Sequence, residues 1–244
     1  MSTHDGRPAG TASTTVQPIV ALDVPALADA RALVARLGPR ADFYKVGAEL
    51  FVAEGPRVVE WLQGDGKRVF LDLKLHDIPR TVGRAAEGAR RLGAALVTVH
   101  AAGGEAMVRA AVEGAGDRTG VLAVTVLTSM DLATTSAVLG RLVSNVQDEV
   151  LRLAAIARAA GAHGVVCGGG ECAAVRNEHG AHLRPLVPGI RLAGAAANDQ
   201  ARVVSPADAA RAGAAYIVLG RALSAAADPV AAYERVLADI AECV

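Results

Sequence analysis

Aromatic side chains are scarce in this chain: three Phe, three Tyr and one Trp, 3% of 244 residues. So few rings leave little with which to stack the bases of a single-stranded nucleic acid. They also require a core built from Ala, Val, Leu and Ile, within a hydrophobic content of 52%. An excess of charge of one sign is equally missing. Lys and Arg number 25 against 25 Asp and Glu, which argues against a binder of nucleic acid or of an acidic membrane surface. No stretch approaches the roughly 18 consecutive apolar residues of a membrane-spanning helix, although the mean hydropathy is positive, +0.32. That apolar content excludes intrinsic disorder of the chain as a whole. Cysteine is sparse too. Cys167, Cys172 and Cys243 are odd in number and lack tight spacing, so they form neither a disulfide framework nor a Cys-x-x-Cys metal site. They read as reduced thiols of a cytoplasmic protein.

What the sequence does contain is a regular alternation. Residues 1–17 are rich in Ser, Thr, Gly and Ala with no apolar stretch, and read as a disordered leader rather than a secretory signal. From Pro18 to Val244 a short β-branched run, a polar or glycine-containing break and an Ala/Leu/Arg-rich helical stretch recur. The runs are Ile19–Asp23, Phe43–Gly47, Val69–Lys74, Leu96–His100, Val121–Leu127, Gly164–Cys167, Leu186–Ile190 and Tyr216–Gly220. Most are nearly continuous in apolar residues, as strands covered on both faces of a parallel sheet should be. Helical stretches such as Ala26–Leu37, Val82–Leu92 and Asn145–Gly161 separate them. Ser144 with Gln147 suggests a capping box, and Ser205-Pro206 an N-cap followed by proline at the first helical position. The pattern predicts an α/β protein, a single (β/α)8 TIM barrel over 18–244. A doubly wound open sheet shows the same alternation. Eight units, and the lack of a Gly-x-Gly-x-x-Gly after the first run, favour the barrel.

In such a barrel the chemistry sits at the carboxyl ends of the strands. Those ends here are Asp23, Lys45, Asp72 with Lys74, His100, Thr128, Arg191, and Gly220 with Arg221. Any one of them could be a polar residue meeting solvent; their convergence on one rim is the signal. In Asp72-Leu-Lys-Leu-His-Asp-Ile-Pro, strand alternation turns Asp72 and Lys74 to one face, roughly 6–7 Å apart at the backbone, with Leu71 and Leu73 facing the helices. An ion pair sealing the barrel mouth is the structural alternative. Buried pairs are poor stabilisers beside apolar packing, so function is the better account. Asp23 and Lys45 add a second acid and a second base, making an array of alternating charges that hold one another ionised. At the other side of the rim, Pro188-Gly189-Ile190-Arg191 and Gly220-Arg221 close the seventh and eighth strands, the usual phosphate position of this fold. The small-residue segment Leu192–Gln200 suits a lid.

These residues resemble one family. Asp72-Leu-Lys-Leu-His-Asp-Ile-Pro is similar to the signature of the orotidine 5′-phosphate decarboxylases. So are Ala21-Leu22-Asp23, Lys45-Val46-Gly47, Val126-Leu127-Thr128-Ser129-Met130, Pro188-Gly189-Ile190-Arg191, Asp199-Gln200 and Gly220-Arg221, in the family's order. The resemblance implies a cofactor-free, metal-independent lyase of de novo pyrimidine biosynthesis that converts orotidine 5′-monophosphate (OMP) into UMP and CO2. It implies Lys74 as proton donor to C6 and Asp72 against the substrate carboxylate, with Lys45 and Asp77 completing the catalytic set. Asp23 and Lys45 would meet the ribose hydroxyls, and Thr128 and Ser129 would lie by the pyrimidine. Pro188 would belong to the binding surface, and Arg191, Gln200, Gly220 and Arg221 would lie by the phosphate. A homodimer is implied, with Asp77, Ile78 and Thr81 reaching the neighbouring site; neither nucleic acid nor membrane is an expected partner. Arg80 stands where the family usually has Asn, and the glycine-rich Cys167–Glu171 has no assigned role. His76 reads as structural. Two other readings remain open: a Mg2+-dependent sugar-phosphate decarboxylase or synthase whose carboxylates hold the metal, and a catalytically silent nucleotide-binding barrel.

Overall fold

The computed structural model describes residues 16–192 and 204–243. Its eight strands run parallel and close on themselves in chain order: β1 (Gln17–Ala21), β2 (Phe43–Gly47), β3 (Arg68–Leu75), β4 (Leu96–His100), β5 (Gly120–Val124), β6 (Gly164–Val166), β7 (Arg184–Val187) and β8 (Tyr216–Leu219). The β1–β8 ladder, from Gln17↔Tyr216 to Val20↔Leu219, makes the closure and excludes the open sheet. The (β/α)8 barrel expected from the alternation is therefore the fold. Among the described residues no helix is long and apolar enough to cross a membrane.

Alternation along the strands sorts the apolar residues into two cores. Ile19, Phe43, Phe70, Leu96, Leu122, Leu186, Tyr216 and Val218 fill the barrel interior. Their neighbours, among them Val20, Val46, Leu71, Val97, Val121, Val187 and Ile217, face outward against the helices. The helices following β2 to β4 include α2 (Ala48–Glu54), α3 (Arg57–Gly64), α4 (Pro79–Arg91) and α5 (Glu105–Ala115), after α1 (Leu27–Leu37) between β1 and β2. Helix α4 buries Val82, Ala86 and Ala89, a stripe of small side chains. It lies so close to α5 that a Cβ on Gly114 would sit 2.1 Å from the Gly83 carbonyl oxygen. That contact leaves room for no side chain and fixes α4 directly behind the β3 end.

Several boundaries differ from the sequence reading. Strands β5 and β7 end at Val124 and Val187, so Val126–Met130 and Pro188–Arg191 belong to the loops above the barrel. An apolar run continues past the ladder there because the loop residues still pack inward, Val126 and Ile190 being buried. The helix α7 (Val146–Ala159), which follows α6 (Leu132–Leu139), is capped by Asn145 and not by Ser144: Asn145 Oδ1 accepts from the Gln147 N–H at 2.9 Å. Gln147 is thus the second helical residue, one too early for a capping box. Ser205 does cap α9 (Pro206–Arg211), accepting from the Asp208 N–H at 3.0 Å, with Pro206 first in the helix. The glycine-rich segment opens α8 (Gly169–His179), where a Cβ on Gly169 would lie 2.6 Å from Val204. Two last helices, α10 (Arg221–Ser224) and α11 (Pro229–Ala241), complete the ring.

Candidate active site

The carboxyl ends of the strands surround a cavity of about 510 Å3. Asp23, Lys45, Asp72, Lys74 and Thr128 line it on one side. Pro188, Arg191, Gly220 and Arg221 line it on the other. The cavity floor is apolar, with Phe70, Leu186 and Val218 rising from the interior core. Nine of the sequence-nominated residues are thus brought to one site.

The charged wall is a chain of contacts centred on Asp72. Lys74 Nζ donates to both carboxylate oxygens of Asp72 at 2.8 Å. Lys45 Nζ lies 3.6 Å from Asp72 Oδ2 and donates to Asp23 Oδ1 at 2.7 Å. Lys45 and Asp72 are largely withdrawn from water, with side chains 9% and 13% exposed. Lys74 is more open at 42%, its ammonium at the face of the cavity. Burial by itself pushes the Asp72 carboxyl up. The ammonium groups of Lys45 and Lys74, with hydrogen bonds from Lys74 and Thr98, outweigh that and hold it below its usual range. Asp72 is therefore a carboxylate at neutral pH, locked between two cations. Gly47, at the end of β2, gives this wall its room: a Cβ there would fall 3.0 Å from Lys45 Nζ and 3.3 Å from Asp23 Oδ1.

Asp72 and Lys74 do meet, but not by plain alternation. The β3–β4 register slips between Leu71↔Val97 and Leu75↔Val99. Three residues of β3, Asp72 to Lys74, stand opposite the single residue Thr98. This bulge carries Lys74 into the left-handed region, φ 48°, and it is the one non-glycine residue with positive φ among those described. Leu73 consequently does not turn fully outward; it packs against the outer core and also lines the cavity. Thr98, wholly buried, was not singled out by the sequence reading. Its signal was a hydroxyl two residues before His100 in the otherwise apolar strand Leu96–Val99.

On the opposite wall, Gly189 has φ 76° and turns the chain into Ile190–Arg191. A bridge from Ile190 to Val204 and a hydrogen bond from the Arg191 N–H to the Val204 carbonyl, 3.0 Å, anchor that turn. The guanidinium atoms Nε and Nη2 of Arg191 are buried and have no hydrogen-bond partner among the described residues. The side chain borders the cavity, where these two nitrogens could receive an anion. Gly220 immediately precedes Arg221, the first residue of α10.

Four of the nominated residues do not line the chain's own cavity: Asp77, Ile78, Thr81 and Ser129. Asp77 Oδ1 accepts from the Ile78 N–H at 2.6 Å, and Ile78 is 65% exposed. Thr81 is also exposed, in the first turn of α4. His76 lies beside His100, ring centroids 5.3 Å apart, at the edge of the charged wall. Burial, the neighbouring His76 and Lys74 lower the pKa of His100. Gln200, and the lid expected at Leu192–Gln200 apart from Leu192 itself, lie outside the described residues.

Comparison with known proteins extends over the same barrel. The family model described as "Orotidine 5'-phosphate decarboxylase / HUMPS family" matches residues 17–236. The orotidine 5′-phosphate decarboxylase of Anaeromyxobacter dehalogenans is 53% identical, over 90% of this chain and 96% of that protein. That of Halorhodospira halophila is 49% identical, over 91% and 95%. The crystal structure of orotidine 5′-phosphate decarboxylase from Lactobacillus acidophilus superposes with a TM-score of 0.82 at 34% identity, covering 92% of this chain and 99% of that one. A match that runs from the first strand into the last helix, with half the residues identical in its relatives, leaves one assignment: the chain belongs to the orotidine 5′-phosphate decarboxylase / HUMPS family.

Proposed function

We propose that this chain decarboxylates orotidine 5′-monophosphate to UMP and CO2, a step of pyrimidine biosynthesis. The observation that carries the reading is the Asp72 carboxylate held between Lys45 and Lys74 at the mouth of the barrel. Loss of CO2 from C6 leaves an electron pair in the plane of the pyrimidine ring, poorly delocalised by the π system. The ammonium of Lys74 stabilises that pair electrostatically and then delivers its proton to C6. Asp72 holds Lys74 in place and lies against the departing carboxylate. Like charges there disfavour the ground state, and the repulsion vanishes as CO2 leaves.

The remaining roles follow the geometry of the two walls. Asp23 and Lys45, bonded to each other, receive the ribose hydroxyls; Thr128, with Ser129 beside it, flanks the pyrimidine. Arg191, Gly220 and Arg221 take the phosphate, with Pro188 shaping the surface between them. Binding energy from this remote phosphate is available to orient C6 against Lys74 and to exclude water. The active unit is a homodimer in which Asp77, Ile78 and Thr81 complete the neighbouring site. Their exposure, and their absence from the chain's own cavity, support that arrangement. The reading needs no metal, and every anionic group of the charged wall already has a cationic partner. It places the enzyme in the cytoplasm.

Ultraviolet absorbance of orotidine 5′-monophosphate with the purified protein in EDTA tests the whole. Loss of the orotate band with appearance of UMP is the expected result. An unchanged spectrum from a folded, dimeric protein would favour the metal-dependent sugar-phosphate chemistry instead.

A further inference from the structure

We infer that Thr98 is a positioning residue for the proton donor, setting the geometry of Lys74 and Asp72 through one hydroxyl that bonds to both. The inference rests on the decarboxylase reading and adds to it a residue from the neighbouring strand. Thr98 sits in the interior of β4 and is wholly buried. Its Oγ1 accepts from the backbone N–H of Lys74 at 2.9 Å and donates to Asp72 Oδ1 at 3.0 Å. A hydroxyl has one proton to give and lone pairs to receive with, so both bonds form at once and each fixes the direction of the other.

The β-bulge is what makes this bond necessary. Opposite Thr98 the regular ladder between β3 and β4 is interrupted, so the Lys74 N–H points to no carbonyl of β4 in register. Buried backbone donors are almost always satisfied, and here the side chain of Thr98 does it. Lys74 is also the residue at φ 48°, a conformation that is strained for a non-glycine residue and persists only where its surroundings hold it. The Thr98 hydroxyl is one such hold. Asp72, held through the same oxygen, then offers both carboxylate oxygens to Lys74 Nζ at 2.8 Å. The ammonium is thus located from two directions, through its own backbone and through its carboxylate partner. A shift of 1 Å in a reacting group costs on the order of 10²-fold in rate.

The test compares Thr98→Val, nearly isosteric but without the hydroxyl, with Thr98→Ser, which keeps the hydroxyl and loses a methyl. Steady-state turnover of orotidine 5′-monophosphate and calorimetric affinity for UMP are measured for both and for the wild type. For Thr98→Val, kcat should fall by about 10²-fold, the loss expected of a misplaced reacting group, with KM and UMP affinity little changed. Thr98→Ser should recover most of that loss. If Thr98→Val does not fold, Thr98→Ala against Thr98→Ser makes the same comparison. The positioning role is overturned if the hydroxyl-free variant keeps wild-type kcat. It is equally overturned if the Ser variant loses as much kcat, or if kcat and UMP affinity decline together, as a purely structural defect would have it. A wild type that leaves the substrate untouched would remove the decarboxylase reading itself, and the positioning role with it.

Discussion

The two ends of the barrel are made from the same strands, yet two residues along each strand reverse the chemistry. On β2, β3 and β4 the interior residues toward the amino end are Phe43, Phe70 and Leu96. The next inward positions are Lys45, Asp72 and Thr98. At the lower end Phe43 and Tyr216 meet edge to face, centroids 6.5 Å apart, and the Arg68 guanidinium covers Phe43 at 4.3 Å. His163 and Arg184 both hydrogen-bond the Tyr216 hydroxyl, at 2.9 and 3.3 Å. That end buries rings and keeps its cations at the edge. The upper end buries an ammonium and a carboxylate, an arrangement that apolar packing of the same volume would often match or better in stability. The difference separates what holds the barrel closed from what the barrel exists to present. Changes at the top should therefore alter turnover and spare folding, and changes at the bottom the reverse.

Lys74→Ala is the strongest attempt to break that contrast. Losing both the proton donor and the cation beside the developing charge should reduce kcat by more than about 10⁴-fold. The side chain is partly exposed and the barrel interior beneath it is untouched, so the thermal unfolding midpoint should stay within a few degrees. Substantial turnover in the variant would remove Lys74 from its role; loss of the fold would erase the distinction between the two ends. Arg191→Ala sharpens the same contrast on the phosphate side. Two of its guanidinium nitrogens make no hydrogen bond among the described residues, so truncation should leave stability close to that of the wild type. A charge-assisted contact to the phosphate is worth about 1.5–3 kcal/mol, so kcat/KM should fall roughly 10- to 150-fold. A variant that is destabilised and kinetically normal would reassign Arg191 to the fold.

The difference between the ends also explains what the sequence made legible. Strand runs, the count of eight and the polar residues at the strand ends follow from short, nearly continuous apolar runs that recur between helical stretches, and each run is local. So is the nomination of Asp23, Lys45, Asp72 and Lys74, since each is a charge in an apolar run. The bulge in β3 is not local: it is a register between strands that are 24 residues apart at the Thr98–Lys74 contact. For that reason the positive φ of Lys74 and the part of Thr98 could not be read from either strand alone. The cap of α7 was missed by one residue because Ser144 and Asn145 are both good caps, and only the chain's entry angle decides between them. Asp77, Ile78 and Thr81 form a third case. Their motif is explicit in the sequence, whereas in the single chain they are exposed and do not line its cavity.

The smallest of these effects belongs to the lower end and depends on pH. Burial, with Arg184 nearby, lowers the His163 imidazole to about 4. The ring is therefore neutral at pH 7, with Nε2 free to accept the Tyr216 hydroxyl proton. In the unfolded chain an ordinary histidine titrates near 6.5. Between about pH 6.5 and 4 the unfolded chain therefore binds the extra proton, and stability must fall as the pH falls through that window. A shift of this size, discounted for the solvent that reaches part of the ring, corresponds to a loss on the order of 2 kcal/mol. His163→Gln keeps a side-chain acceptor for Tyr216 and has nothing to titrate. Urea unfolding at a series of pH values should show the decline in the wild type and a flatter profile for the variant across that window. Both proteins should lose stability alike at lower pH, where carboxylates held below their usual range, Asp72 among them, become protonated. Turnover at pH 7 should be unaffected, because nothing at the upper end touches the imidazole. Equal pH profiles would mean that His163 is not held neutral by the lower core; a fall in kcat would show that the two ends of the barrel are coupled.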